Sequence, residues 1–309
     1  MKFDRVAEHN RRMWERLAKA GIPYTRPQGR PPRTRAGLRR FVDRHDRLRG
    51  VRLAGARVLV LAGGGGWDAV IFAKLGAETT LLDISRRQLD TVREFARKER
   101  VRARIVQGNM KDLSRFADAS FDVVWHSHSL VFVDDATRVL REVGRVLAPG
   151  GTYVMSTVHP TTMRLYGTFA GGGWRPSISY FAAAPIPQSG KGAGVWEFGR
   201  KRVYAPTIEY AHRFETIFNG IAAGGMLVDG LWELRPQELE PPRRQPRNPP
   251  PGSDDHLHAL FPAYIQVRAR RPRGARGGGG GGGRWMPSGT TTLSKRPDAI
   301  RRSSARWSR

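Results

Sequence analysis

Short apolar runs alternate with longer amphipathic stretches along much of this chain, and the alternation predicts an α/β fold. The apolar runs lie at 57–62, 78–85, 103–110, 120–129 and 152–160. Between them the apolar residues recur at helical spacing. Because the runs are apolar on both sides, they are typical of strands in a doubly wound, mostly parallel sheet with helices on both faces.

Two later segments extend this sheet to seven strands. Residues 226–234 are largely apolar, and near the end of 258–271 Ile265, Val267 and Ala269 alternate with polar residues. The amphipathic stretches predict helices at 5–20, near 37–49, and at 67–76, 86–99, 135–151 and 209–225.

The same patterns divide the chain into three parts. Residues 1–50 form an N-terminal helical arm, and residues 51–271 form the α/β domain, with a lid-like insertion at 161–204 that is rich in glycine, proline and aromatic residues. Residues 272–309 contain a run of glycines and then Ser/Arg-rich sequence. Such a segment buries too little apolar surface to offset its ordering entropy, so we expect a disordered tail.

The sequence is strongly basic, with a formal net charge of +27, but the charge is concentrated at the ends. Residues 1–57 carry a net charge of +12 and residues 270–309 one of +10, which leaves about +5 for the rest. Long-range charge of this kind bears on solubility and non-specific binding rather than on fold. Nucleic acid is therefore not the expected partner.

Several classes of protein are excluded by composition. There is no cysteine, which rules out disulfides, thiolate nucleophiles and cysteine-bound zinc. The first residues are charged throughout and lack a signal-peptide core, and no stretch approaches the roughly 20 apolar residues of a membrane-spanning helix. We expect a cytoplasmic protein with no membrane partner.

The clearest chemical motif is VLVLAGGGG at 58–66, which places four glycines between a buried strand and a helix. Glycines allow a tight turn and a close approach of the backbone to a ligand. Asp83 ends the next strand, 17 positions after Gly66. In dinucleotide-type folds an acid at this place accepts hydrogen bonds from ribose hydroxyls. The two features together predict a site for an adenosine-containing cofactor.

The glycine turn alone leaves the cofactor open, because Gly64, Gly66 and Ala69 fit the G-x-G-x-x-A pattern of nicotinamide-binding proteins. Downstream, however, FDVVWHSHSL at 121–130 and LAPGG at 147–151 resemble the class I methyltransferase superfamily. In that family such a strand precedes a helix that ends in an LKPGG-like sequence.

The resemblance covers roughly residues 9–270 and is most specific over 57–158. It implies a Rossmann-like domain that binds S-adenosylmethionine and transfers its methyl group, with a small organic molecule as the expected acceptor. Two alternatives remain open: a module that binds the cofactor without turnover, and a nucleic-acid methyltransferase that uses the basic ends. The first is motivated by Val60, which stands in place of the family's usual acid, and by Ala62, which replaces its first glycine.

By position, the resemblance assigns roles to individual residues. Asp83 would bind the ribose, Ile84 would pack on the adenine, and Asn109 would accept from the adenine amino group with Met110 beside the ring. His126 would lie under the reactive end of the cofactor. The cofactor-binding residues implied in this way are Ala62, Gly63, Gly64, Gly65, Gly66, Asp83, Ile84, Asn109, Met110 and His126.

Histidines at strand ends are the candidates for acid–base chemistry. His126 and His159 end the fourth and fifth predicted strands, where open α/β sheets bind ligands, and either could act as a general base. Together with His128 they could also ligate a metal, but no carboxylate lies at ligand spacing, so we predict no metal site. Trp14 and Tyr24 either fold over the cofactor or anchor the arm.

Overall fold

A single mixed sheet forms the centre of the computed structural model, which describes residues 3–188, 194–198, 200–235, 238 and 246–273. These residues belong to one compact unit, Met1–Gly274. The strands are β1 (Arg57–Leu61), β2 (Glu78–Asp83), β3 (Arg104–Gln107), β4 (Phe121–Ser127), β5 (Leu147–Val158), β6 (Phe169–Ala170), β7 (Gly173–Trp174), β8 (Val195–Phe198), β9 (Lys201–Tyr204), β10 (Leu227–Leu234) and β11 (Tyr264–Arg270).

The central sheet has seven strands in the order β10-β11-β5-β4-β1-β2-β3. Strands β1 to β5 pair in parallel, and β11 runs antiparallel between β5 and β10. The prediction of a mostly parallel seven-stranded sheet is therefore confirmed. The chain reverses its order of strands between β1 and β4, and open α/β sheets bind their ligands in the crevice at such a point.

Helices cover both faces of the sheet. They are α1 (Arg5–Ala20), α2 (Arg35–Val42), α3 (Asp68–Lys74), α4 (Arg86–Lys98), α5 (Ala136–Val146), α6 (Phe214–Ala223) and α7 (Asp254–Leu260). One apolar cluster, which includes Phe72 and Leu89, joins α2, α3 and α4 to one face. A second, which includes Leu140 and Ile217, joins α5 and α6 to the other. This two-sided burial explains why the strands are apolar throughout.

Several elements differ from the sequence-based expectation, and helix α2, for example, ends at Val42 rather than near 49. Helix α5 ends at Val146 rather than 151, because the following residues already pair with neighbouring strands, as Leu147 does with Phe121. Helix α6 begins at Phe214 rather than 209, since the backbone N–H of Tyr210 is bound to the carbonyl of Val131. Helix α7, which Ser253 caps, was not among the predicted helices.

The arm and the insertion both take part in the folded unit. The predicted insertion at 161–204 carries two short hairpins, β6–β7 and β8–β9. In the arm, the amide of Asn10 donates to the carbonyls of Phe132 and Ile208, both at 2.9 Å. The predicted disordered tail lies, from Gly274 onward, outside the described residues. The arm therefore bridges the end of the sheet and the chain that follows the insertion.

Candidate active site

A cavity of about 790 Å³ opens at the carboxyl ends of β1 to β4 and is covered by α1. Its size falls within the roughly 300–1,000 Å³ typical of small-molecule sites. Of the ten residues predicted to bind the cofactor, seven line this cavity: Ala62, Gly63, Gly64, Asp83, Ile84, Asn109 and Met110. Gly65, Gly66 and His126 are not among the lining residues. Seven of the ten predicted residues therefore share one cavity, and their role in binding the cofactor stays a prediction.

The glycine turn after β1 is fixed by two hydrogen bonds to side chains. Asp83 Oδ2 accepts from the backbone N–H of Gly64 at 2.8 Å, and Gln88 Oε1 accepts from that of Gly65 at 2.9 Å. Gly64 has a φ of +59°, in the left-handed region that favours glycine. Ala62 also lies there, with a φ of +48°. Ala62, which replaces the family's first glycine, therefore has a backbone conformation that favours glycine.

Asp83 is the acid at the centre of the predicted cofactor site. It is only 4% exposed, and its second oxygen accepts from the N–H of Ser85 at 2.8 Å. Burial raises the pKa of its carboxyl group to about 6. Each oxygen retains a lone pair for a further donor, and the residue faces the cavity. A carboxylate beside glycines without Cβ atoms, with Ile84 and Met110 as apolar walls, fits the adenosine part of S-adenosylmethionine.

Asn109 has a more constrained setting than the sequence indicated. Its Oδ1 accepts from the N–H of Lys111 at 3.0 Å, and its Nδ2 donates to Asp4 at 3.2 Å. Lys111, itself 7% exposed, also binds Asp4 at 2.9 Å and forms an ion pair with Asp134. The loop after β3 and the start of α1 are therefore joined by a network of charges, which closes this end of the cavity.

The structure places His126 in the core rather than in the cavity. Its ring is 1% exposed and its Nδ1 lies 2.9 Å from the hydroxyl of Tyr153 on β5. Burial, together with the neighbouring His128, lowers the pKa of His126 to about 3. Successive side chains point to opposite faces of a strand, and His126 takes the face that packs against α5. Direct contact with the cofactor, as predicted for His126, has no support in this arrangement.

His159 also lies away from the cavity. It is 5% exposed, its Nε2 is 3.1 Å from Glu233 on β10, and its ring packs edge-on against Phe214. His128, in contrast, lines the cavity. Its φ of +54° is uncommon for a residue with a side chain, and its ring meets that of Tyr264 edge-to-face at 4.5 Å. Of the three strand-end histidines, His128 is the one that faces the ligand space.

The arm covers the glycine turn and the centre of the cavity. A Cβ atom on Gly65 would lie 2.0 Å from the carbonyl oxygen of Thr25, so this segment packs directly on the turn. Trp67 Nε1 donates to the carbonyl of Gln28 at 2.9 Å. Trp14 and Tyr24, for which the sequence left two roles open, both line the cavity. They thus stand where residues that cover a cofactor would be.

Sequence reasoning missed several lining residues. Gln88 lies in the first turn of α4, which Ser85 caps directly after Asp83. Its position close to Asp83 in the sequence could have indicated that it lines the site. Asp68 lies just beyond the glycine turn, accepts from Trp125 Nε1 at 3.0 Å, and has a pKa raised to about 6 by burial. Glu209 lines the cavity from a segment far away in sequence, and no local pattern indicates this.

Two further searches covered the described residues. No group of three or more potential ligands that could hold a metal ion was found in this part of the chain. Within the same residues, no helix combines the length and apolar character needed to cross a membrane.

Comparison with known proteins gives the family. A family model described as a methyltransferase domain matches residues 59–155. The uncharacterized methyltransferase YbaJ of Bacillus subtilis is 30% identical over 187 residues, which cover 59% of this chain and 69% of that protein. A ubiquinone biosynthesis O-methyltransferase of Xanthomonas oryzae is 34% identical over 109 residues, 35% of this chain and 46% of that protein.

A solved structure shows the same fold. The S-adenosylmethionine-dependent methyltransferase from Mesorhizobium loti superposes with a TM-score of 0.51 at 22% identity, over 71% of this chain and 93% of that one. Fold, glycine turn, strand-end acid and relatives agree. The chain belongs to the class I methyltransferases, the superfamily of enzymes that use S-adenosylmethionine as cofactor.

Proposed function

We propose that this protein transfers the methyl group of S-adenosylmethionine to a small organic acceptor bound in the same cavity. The observation that carries the proposal is that the glycine turn and Asp83 form one wall of a partly open cavity of about 790 Å³. One relative is named for ubiquinone biosynthesis, which supports a small-molecule acceptor. The cofactor supplies an activated methyl group on a sulfonium, which a nucleophilic atom of the acceptor can attack.

The protein's own residues would bind and orient the cofactor. Asp83 would accept from the ribose hydroxyls, Ile84 and Met110 would hold the adenine, and the backbone of 62–64 would lie against the methionine part. Asn109 would contribute mainly by holding the loop, because its oxygen already accepts from Lys111. Covering of the site by α1 would exclude water and position the acceptor, and positioning is a large source of rate in bimolecular reactions.

A base is needed only where the acceptor must lose a proton. His128 is the best-placed histidine for that role, since it lines the cavity. Desolvation by the surrounding protein lowers the pKa of His128 to about 4, so the ring is neutral near pH 7 and would act as a weak base. His126 and His159, the residues proposed from sequence, would act only through their neighbours. His128→Ala should slow methyl transfer to an acceptor that must be deprotonated. His126→Ala and His159→Ala should leave the rate of transfer unchanged.

Neither alternative from the sequence gains support from the cavity. Among the described residues its lining includes six acids and a single arginine, a charge that repels nucleic-acid phosphates. A binding module without turnover would show cofactor affinity but no methyl transfer across a broad panel of acceptors.

A cytoplasmic location likewise stays a proposal, made from the sequence.

The test is a calorimetric titration with S-adenosylmethionine, S-adenosylhomocysteine and NAD. We expect micromolar affinity for the first two and none for NAD. Asp83→Ala should weaken binding at least tenfold, whereas Asp90→Asn, an exposed acid on α4, should leave it unchanged. Absence of binding by both sulfur compounds would sink the proposal.

A further inference from the structure

The cavity is acidic although the chain as a whole is strongly basic. The chain carries 54 Lys and Arg residues against 27 Asp and Glu, yet the charged residues that line the cavity are Asp43, Asp68, Asp83, Glu209, Glu238, Asp254 and Arg44. Arg44 is exposed. Asp83 belongs to the cofactor site, and both oxygens of Asp43 accept from backbone N–H groups, those of Arg47 and Leu48, at 2.7 Å. The cavity wall therefore contains four further acids, which are Asp68, Glu209, Glu238 and Asp254.

Glu209 is the acid whose surroundings are most informative. It is half-buried, and its Oε1 accepts from the Thr207 hydroxyl at 2.6 Å. Among the residues that the structure describes, no lysine, arginine or histidine forms an ion pair with it. The segment that carries it is held firmly, since Asn10 Oδ1 accepts from the N–H of Ile208 at 2.8 Å and the carbonyl of Glu209 accepts from the N–H of Ile186 at 2.7 Å. Desolvation raises the pKa of the Glu209 carboxyl group, and a ligand that carries a positive charge would stabilise its ionised form.

Trp14, Phe132 and Trp196 are three of the aromatic residues that line the same cavity. Trp14 on α1 contacts Phe132 at a centroid distance of 5.2 Å and Trp196 on β8 at 5.5 Å, in both cases edge-to-face. Asn10 joins this group to the Glu209 segment, because its amide binds the carbonyls of Phe132 and Ile208. We call Trp14, Phe132 and Trp196 the aromatic trio. The faces of aromatic rings attract cations, and desolvated sites strengthen the attraction.

We propose that the acceptor carries a positively charged amine, protonated or quaternary, that is held by the Glu209 carboxylate and the aromatic trio. The inference rests on the proposed function only in calling the ligand an acceptor. The recognition itself follows from an acid that has no ion pair among the described residues, from aromatic walls and from an excess of carboxylates. An anionic acceptor would meet that negative charge with Arg44 as the single arginine among the described lining residues, and a neutral one would leave Glu209 without a cationic partner.

The probe is benzyltrimethylammonium, and its control is neopentylbenzene, in which carbon replaces the charged nitrogen with little change of shape. Binding to the full chain is measured by calorimetry and by quenching of tryptophan fluorescence, with and without saturating S-adenosylhomocysteine. We expect the cation to bind at least about tenfold more tightly than the neutral compound. We also expect S-adenosylhomocysteine not to displace it. Equal affinity for the two probes, no binding of the cation, or its displacement by S-adenosylhomocysteine would overturn the inference.

Variants locate the subsite. Glu209→Gln keeps the shape and an oxygen for Thr207, and should weaken cation binding about tenfold while leaving the neutral compound unchanged. Trp196→Leu should also weaken binding of the cation and not that of the neutral compound. It provides the test if Glu209→Gln does not fold. The matched control is Glu215→Gln, an exposed acid in the first turn of α6. If Glu209→Gln and Trp196→Leu both bind the cation as tightly as Glu215→Gln does, the assignment of the cationic subsite is refuted.

The titration also separates this inference from the proposed function. Loss of cation binding in Glu209→Gln with intact S-adenosylhomocysteine affinity supports both. If S-adenosylhomocysteine does not bind but the selective cation binding persists, the proposed function fails and the cationic subsite stands. If the cofactor product binds and the cation does not, only the inference about the acceptor fails.

Discussion

The carboxylate of Asp83 accepts a hydrogen bond from the backbone N–H of Gly64 at 2.8 Å and so ties the end of β2 to the turn after β1. One side chain therefore shapes the glycine turn and also faces the space in which the ribose would lie. Because Asp83 is buried, its protonation should control ligand binding.

Affinity for S-adenosylhomocysteine should fall as the pH drops through about 6. Burial raises the pKa of Asp83 to about 6, so the residue is ionised above that value and becomes protonated below it. A protonated carboxyl is a poorer acceptor for hydroxyl groups, and affinity should fall by up to about tenfold per pH unit. Calorimetry between pH 5 and 8 checks this.

The pH dependence should be flat in Asp83→Asn. Asp68 also has a pKa raised to about 6, so Asp68→Asn is the necessary comparison. If Asp68→Asn abolishes the dependence and Asp83→Asn does not, Asp68 is the controlling group and the expectation for Asp83 is wrong.

Gly65→Ala should loosen the cover over the site. The added Cβ would lie 2.0 Å from the Thr25 carbonyl oxygen, so the 23–28 segment must move. We expect a loss of about 1–3 kcal/mol in unfolding free energy and faster proteolysis of the arm. Gly66→Ala is the matched control, because its Cβ would have Gly63 O at 3.7 Å as nearest neighbour. Equal effects in the two variants would argue against close packing of the arm on the turn.

Ala62→Gly should stabilise the protein slightly or leave its stability unchanged. Ala62 has a φ of +48°, a left-handed conformation that costs an L-residue about 1–2 kcal/mol. Glycine removes that strain but loses about 0.5–1 kcal/mol through greater freedom in the unfolded chain. Urea denaturation should therefore show a gain of up to about 1 kcal/mol. Ala73→Gly, within α3, should instead lose about 1 kcal/mol. A comparable loss of unfolding free energy in Ala62→Gly would show that the backbone at Ala62 is not strained.

Lys111→Met should destabilise the fold by about 1–3 kcal/mol, because it leaves Asp4 and Asp134 without their buried cation. Both acids are partly exposed, which keeps the loss below that of a fully buried pair. Chemical denaturation measures it. Lys98→Met, at an exposed ion pair with Glu94, should change stability by less than about 0.5 kcal/mol. Similar values for the two variants would show that the network near Asn109 is not structural.

Acid should destabilise the wild type more steeply than His126→Gln. His126 is neutral in the fold, because burial lowers its pKa from the ordinary value of 6.5 to about 3, so the unfolded chain binds the proton more readily. Between these values, stability contributed by this group falls with falling pH by up to about 1.4 kcal/mol per unit. Denaturation between pH 4 and 7 should show a shallower slope for the variant. An unchanged slope would mean that His126 is accessible to protons in the fold.

Local patterns in the sequence determined the fold and the residues that we propose bind the cofactor. Apolar runs of strand length, the four glycines after β1 and Asp83 at the end of β2 are all read over a few neighbouring residues. Because parallel strands end at one edge of a sheet, these residues meet whenever the strands pair correctly. The sequence also identified the arm and placed Trp14 and Tyr24 as candidates to cover the cofactor.

Tertiary structure alone decided which histidine lines the cavity and which residues form the proposed acceptor subsite. His126 and His128 are two positions apart, and strand alternation would send them to the same side. The strand ends at Ser127, and the positive φ of His128 lets its ring enter the cavity while that of His126 stays against Tyr153. Glu209, Trp14, Phe132 and Trp196 come from segments far apart in the chain. Their meeting depends on long-range packing, which no short stretch of sequence encodes.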